Sequence, residues 1–335
     1  MSQTHSQIRE GAISEVFVGG FLNIDKPAGW TSHDVVAKVR GLLGIKRVGH
    51  LGTLDPDATG VLPLCFGKGT KLASLLGDAD KTYDAVLRLG QETDTEDASG
   101  EVINICPVPD RLKSEEGEAE ILDVLLSFMG RYLQQPPMYS AIKVKGVPLY
   151  KMARSGKVVE RSKRELKILS LKLLASHGGD IAFRVRCSKG TYIRTLCVDI
   201  GRKLGVGAHL LSLRRVQAGP FSIDDALELE TLSAYCQDGQ WEKIVYPANS
   251  VLSALPALFV SGVARKRLLN GVQLSMSALD RNDPFKKGDS LRFLDAEGRL
   301  IAIAQALRDS ESHAVERVSM ESFFKIKTVL GDGGC

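Results

Sequence analysis

The sequence predicts an α+β protein with an antiparallel or mixed sheet, and three observations lead there. Strand-like alternation and helix-like periodicity are interleaved without the regular strand–helix–strand rhythm of a doubly wound parallel sheet. Apolar residues make up 44% of the 335 residues, enough for a sizeable core in two domains or one large one. Near residue 248 the texture changes, and residues 249–328 read as a small β-rich module.

The elements follow in order. Residues 1–15 are polar and are expected to be disordered. Phe21 to Ile24 is a short strand, ended by Lys26-Pro27. Thr31, with Asp34 three residues on, signals a helix start. Val35, Val36, Val39, Leu42 and Leu43 recur at helical spacing, and Gly44 stops that helix. Val48 to Gly67 is a loop followed by a strand; Gly49-His50-Leu51-Gly52-Thr53 is a poor strand. Gly67-Lys68-Gly69 is a helix-start turn, too short to indicate phosphate binding. From Thr82 to Gly90 the chain alternates, with Tyr83, Ala85, Leu87 and Leu89 on one face. Glu120 to Met129 is an amphipathic helix. Gln134 to Tyr139 is irregular, because each proline pushes its predecessor out of the α region. Ile181 to Cys187 alternates again, Ser188-Lys189-Gly190 turns, and Ile193 to Leu204 is a helix stopped by Gly205. In the last module, Ala264 to Leu269 is a helix, and Ser290 to Leu294 and Arg299 to Leu307 form a hairpin. Residues 329–335 are read as a flexible tail.

Composition narrows the function classes. No stretch approaches the roughly 20 apolar residues of a membrane span, and the N-terminal residues lack a signal-peptide pattern. A cytoplasmic protein is expected. The six cysteines are scattered, without a Cys-x-x-Cys pair or zinc-site spacing, so reduced and mainly buried thiols are expected. Net charge is only +4, but its distribution is uneven. Residues 91–120 hold ten acids against two bases, and residues 143–167 hold nine bases against two acids. The basic run is equally compatible with phosphate contacts and with a solvated face.

The chemistry centres on Leu-Asp-Pro-Asp-Ala-Thr-Gly, residues 54–60. Three readings compete for Asp55. Asp55-Pro56-Asp57-Ala58-Thr59 formally matches a D-x-D-x-T phosphatase loop, but that loop should follow a buried strand and needs further acidic metal ligands. A non-catalytic RNA-binding protein would use the basic segment and the β-rich module, leaving Asp55 as a turn residue. The third reading is an enzyme acting on a nucleobase with one carboxylate nucleophile. It needs an ionised Asp on a rigid turn, a cation to aim it and an aromatic platform for an extruded base. Asp55, Tyr83 and the Lys189–Arg194 segment supply these types. Asp57 is read as structural or solvated.

At these residues the chain resembles the bacterial tRNA pseudouridine synthase B family. "LNIDKPAGWTSHDVV" is similar to its N-terminal motif, and "GHLGTLDPDATGVLPLCFGKGTK" to its nucleophile loop. "KTYDAVLRLGQETDTEDASG" resembles the tyrosine motif and "QQPPMYSAIKVKGVPLYKMARSGK" the thumb segment. "RCSKGTYIRTLCVDIGRKLGVGAHLLSLRR" looks like the remaining active-site motifs. The resemblance spans nearly the whole chain and is loosest at the C-terminal end.

The resemblance implies a pseudouridine synthase fold with a mixed, mainly antiparallel central sheet. It implies a catalytic domain over residues 16–248 with a thumb-like insertion at about 134–162, and a PUA-like RNA-binding domain over residues 249–328. The implied reaction converts uridine to pseudouridine at position 55 in the T loop of tRNA, by base flipping and without a cofactor or metal. In that frame Asp55 is the nucleophile, Tyr83 stacks on the uracil and is the candidate for proton transfer, and Arg194 pairs with Asp55. Tyr192 and Leu213 line the base pocket, His50 contacts RNA beside it, and Lys26 with Pro27 supports the active-site wall. The implied partner is the T-arm stem-loop, bound by a monomer. Guide-RNA-dependent synthases share Gly-Thr-Leu-Asp-Pro, residues 52–56 here. The thumb-like segment and the lack of a long basic tail favour a stand-alone enzyme.

Overall fold

The computed structural model describes Ile13 and residues 17–144, 146–157, 159–311 and 323–331. Most of the expected disordered N-terminus and residues 332–335 of the expected tail lie outside the described residues.

β1 (Gly19–Lys26) is buried along nearly its whole length and leads through Thr31 into α1 (Ser32–Leu43). The Thr31 side chain accepts from the Asp34 amide, and the Asp34 carboxylate accepts from the Thr31 amide. Gly44 closes the helix in the left-handed conformation at φ 64°. β2 (Val48–His50), a loop and β3 (Thr59–Gly67) follow. The stretch that read as a poor strand thus contributes Gly49 and His50 to β2, because the apolar edge of β3 supplies their partners. After the short α2 (Ala73–Gly77), β4 (Lys81–Leu89) keeps the expected alternation, with Tyr83, Ala85, Leu87 and Leu89 buried.

A hairpin of β5 (Gln91–Thr93) and β6 (Val102–Ile105) precedes α3 (Glu118–Leu126) and β7 (Gly130–Gln134). The basic stretch carries β8 (Lys143–Val144), β9 (Val147–Pro148) and α4 (Leu149–Arg154). It ends in β10 (Arg164–His177), a long strand that its lysines and arginines disguise as a plain charge run. β11 (Asp180–Cys187), α5 (Ile193–Lys203), β12 (Ala208–Ala218), β13 (Phe221–Ser222), α6 (Leu229–Gln237) and α7 (Ala248–Val251) complete this part.

Among the described residues nine of these strands form one sheet, while β5–β6 and β8–β9 are separate two-stranded ribbons. The order of the nine-stranded sheet is β1-β3-β12-β4-β11-β10-β7, with β2 on β3 and β13 on β12. The β12–β3 pair is parallel and its neighbours are antiparallel. This parallel seam is tight: Gly60 sits at φ +99°, and a Cβ there would lie 2.2 Å from the Arg215 carbonyl oxygen. The fold is α+β with a mixed, mainly antiparallel sheet, as expected. β12 escaped the sequence reading because bulges between Leu210 and Ser212 and between Arg215 and Gln217 break its two-residue period.

A second sheet of β14 (Ala257–Phe259), β15 (Arg281–Asn282), β16 (Ser290–Leu294), β17 (Leu300–Ala306) and β18 (Phe324–Val329) lies with α8 (Gly262–Leu269) in the C-terminal part. The expected hairpin is β16–β17. The packing crosses the texture change near residue 248: Phe21, Leu51, Val61 and Phe221 share one apolar cluster with Ala257, Leu294, Leu300, Ile303 and Leu330.

Candidate active site

The loop between β2 and β3 is shaped from three directions. Ser32, buried at the start of α1, donates to the Leu54 carbonyl at 3.2 Å and accepts from the Leu54 amide at 2.9 Å. The Ala58 amide bonds back to the Asp55 carbonyl at 3.1 Å, making the turn that carries Asp55 and Pro56. Lys26 is fully buried, and its ammonium donates to the carbonyls of Pro27, Trp30 and Pro56 at 2.8, 2.7 and 2.8 Å. Burial pushes that amine down to about 8, with the Asp57 and Asp55 carboxylates pulling it back up. Lys26 therefore braces the loop; its donors are not turned to the cleft.

Arg194 approaches Asp55 from the first turn of α5. Its Nε lies 2.9 Å from Asp55 Oδ2 and 3.7 Å from Asp97 Oδ2. Nη1 and Nη2 donate to the Thr95 and Tyr139 carbonyls at 3.0 and 2.9 Å. The guanidinium side chain is 6% exposed and that of Asp55 is 45% exposed. A nearly buried, fully engaged cation thus faces a carboxylate that solvent and substrate can reach. The arrangement is fixed on both sides. The Gln134 carboxamide accepts from the Tyr192 amide and donates to the Tyr192 carbonyl, both at 2.9 Å, and so seats the start of α5. In the β5–β6 turn, Glu96 holds φ +66°, and its carboxylate accepts from Thr195 Oγ1 at 2.5 Å. Burial raises the Glu96 carboxyl, with Thr195 and Arg194 opposing.

One cleft gathers these groups. Thr53, Leu54, Asp55, Tyr83, Thr191, Tyr192, Ile193, Arg194 and Leu213 line it. The sequence-expected Asp55, Tyr83, Tyr192, Arg194 and Leu213 therefore converge from the loop, β4, the start of α5 and β12. Burial raises the phenols of both Tyr83 and Tyr192 above their ordinary value. His50 and Lys26 are outside the lining. His50 stands on β2 with its ring 5.6 Å from His33, edge to face at 74°. Its Nδ1 accepts from the Gly52 amide at 3.4 Å, and burial, then His33, then Arg215 lower its pKa. The sequence reading missed Ser32, Asp97, Gln134 and Arg215. Each acts on backbone or on another side chain, so no local pattern announces it.

The chemistry open to this cleft is that of one carboxylate beside an aromatic face and an apolar wall. The chain matches the family model described as TruB family pseudouridylate synthase (N terminal domain) over residues 40–193. It matches the tRNA pseudouridylate synthase B C-terminal domain over residues 194–253. The tRNA pseudouridine synthase B of Burkholderia lata is 46% identical over 286 residues, covering 85% of this chain and 86% of the relative. The chain belongs to the TruB family of pseudouridylate synthases. Another TruB-family relative, the tRNA pseudouridine synthase B of Stutzerimonas stutzeri, is 45% identical over 295 residues, covering 87% of this chain and 93% of the relative. Solved structures agree in fold. A chain of a Cbf5-Nop10-Gar1 complex superimposes with a TM-score of 0.74 and 28% identity, covering 95% of this chain and 87% of that one. A chain of an H/ACA RNP bound to a substrate RNA containing 2′-deoxyuridine gives 0.74 and 27%, covering 96% and 88%. The pseudouridine synthase fold and the enzyme class expected for this TruB-family chain are thereby established, and no helix among the described residues is long and apolar enough to cross a membrane.

Proposed function

We propose that this chain is a stand-alone tRNA pseudouridine synthase that isomerises uridine at position 55 in the T loop. The observation that carries the reading is Arg194 Nε at 2.9 Å from Asp55 Oδ2, in a cleft shared with Tyr83 and Leu213. The curated relatives named tRNA pseudouridine synthase B support the tRNA substrate.

Asp55 supplies the nucleophilic oxygen, at C6 of the ring or at C1′ of the ribose. The C1′–N1 bond breaks, the uracil turns, and C5 bonds to C1′. The displaced C5 proton leaves and N1 ends protonated, so no atom is gained or lost and no redox partner is consumed. The target must leave its stack to reach Asp55; that costs a few kcal/mol, offset by stacking on Tyr83 and contact with Leu213 and Ile193. Tyr83 is also the candidate carrier of the C5 proton, and Tyr192 closes the pocket wall. His50 contacts RNA beside the pocket, while Lys26 acts through the loop. Residues 134–162 serve as the thumb that grips the T arm, and residues 249–328 serve as a PUA-like RNA module.

The solved H/ACA neighbours raise a second reading, a subunit that acts through a guide RNA. The identities of 42–46% to the tRNA enzymes against 27–28% to those chains favour the stand-alone enzyme. Incubation of the purified protein with an unmodified T-arm stem-loop, followed by pseudouridine mapping, decides. Conversion of the single T-loop target without added RNA or protein is expected. No conversion of either the stem-loop or full-length tRNA would sink the proposal.

A further inference from the structure

A second guanidinium lies beneath the cleft. Arg215 is 1% exposed and is the largest fully buried side chain among the described residues. Its donors go to backbone carbonyls: Nε to Val61 at 2.6 Å, Nη2 to Gly52 at 3.1 Å and Nη1 to Thr53 at 3.4 Å. No carboxylate pairs with it among the described residues. A buried cation without a counter-charge carries a desolvation penalty that an apolar residue of the same volume would avoid.

The carbonyls it holds are not scattered. Gly52 and Thr53 lie on the arm entering the Asp55 loop, and Val61 lies on the arm leaving it. One planar fork therefore ties the neck of the loop. The same residue faces Tyr83: the β12–β4 register sets Arg215 directly opposite it. The Arg215 charge beside that phenol works against the burial that raises it. Loop and tyrosine come from different parts of the chain, and Arg215 is bonded to the loop's two arms while standing opposite the tyrosine across the β12–β4 pair.

We propose that Arg215 is a positioning residue of the isomerisation, fixing the Asp55 loop and Tyr83 relative to one another from below the cleft without contacting RNA. This rests on the reading of Asp55 as nucleophile and Tyr83 as its stacking partner. A merely structural arginine would lower the amount of folded protein and leave the chemistry of the folded fraction unchanged.

The test compares single-turnover pseudouridine formation on unmodified tRNA with tRNA affinity for the parent, R215M, R215K, Y83F and R215M/Y83F. Met keeps the unbranched stem without charge or donors; Lys keeps the charge without the fork. R215M is expected to bind tRNA within about threefold of the parent while its single-turnover rate falls by about 100-fold or more. R215K recovers part of that loss. The double variant loses less than the product of the two single losses, because both residues act on one geometry. An R215M rate within about threefold of the parent overturns the proposal, as do losses that multiply. If a thermal melt finds R215M unfolded, R215K and R215K/Y83F carry the same comparison, and the same two outcomes overturn the proposal. A parent protein that makes no pseudouridine on tRNA defeats the functional reading itself; an active parent with an unimpaired Arg215 variant defeats only this inference.

Discussion

Asp55 and Lys26 show how differently two charged groups around one turn are used. Asp55 is half exposed and aimed by a buried arginine. D55N keeps the shape and removes the proposed nucleophile, so pseudouridine formation is expected to vanish while tRNA affinity stays within roughly tenfold. Near-parental tritium release from labelled tRNA would remove Asp55 from the mechanism. Lys26 is fully buried and its three contacts are all carbonyls. K26M orphans those acceptors, and the expected loss is about 3 kcal/mol of stability, read by denaturant unfolding. A loss below about 0.5 kcal/mol would mean that water or relaxation satisfies the carbonyls instead.

On the proposed function, elements rather than single residues bring RNA to the cleft. In the basic segment Lys151, Lys157 and Lys163 are exposed, whereas Arg161 is tied inward, donating to the Pro136 carbonyl at 2.9 Å. Replacing those three lysines by glutamine is expected to weaken binding and flatten its salt dependence by about 0.7–0.9 per lost phosphate contact. An unchanged slope returns the segment to a solvated face. Much of this level was legible in the sequence. The α1 start and stop and the alternation of β4 rest on local chemistry, so local pattern revealed them. β10 hid in its charges and β12 in its bulges. The residues that β12 and β7 send to the site, Arg215 and Gln134, bond to backbone carbonyls and amides far along the chain. No spacing rule marks such a partner, whereas the family motifs did mark Asp55, Tyr83 and Arg194.

At the level of the whole molecule, the apolar cluster joining Phe21, Leu51 and Phe221 to Leu294, Leu300 and Ile303 makes the C-terminal sheet part of the support under the β2–β3 loop. Leu51 begins that loop and is 6% exposed. A chain ending at residue 248 is therefore expected to melt at least about 5 °C lower than the parent, beyond any loss of RNA affinity. An unaltered melting temperature would show that the sheet is energetically independent. The tight contact between β3 and β12 has a consequence of its own. At Gly60 even one extra methyl must wedge the two strands apart, and the backbone that yields is the one bearing Arg215 and Leu213. A lesion there would silence the enzyme from under its floor, and a screen that mapped only the walls would pass it over.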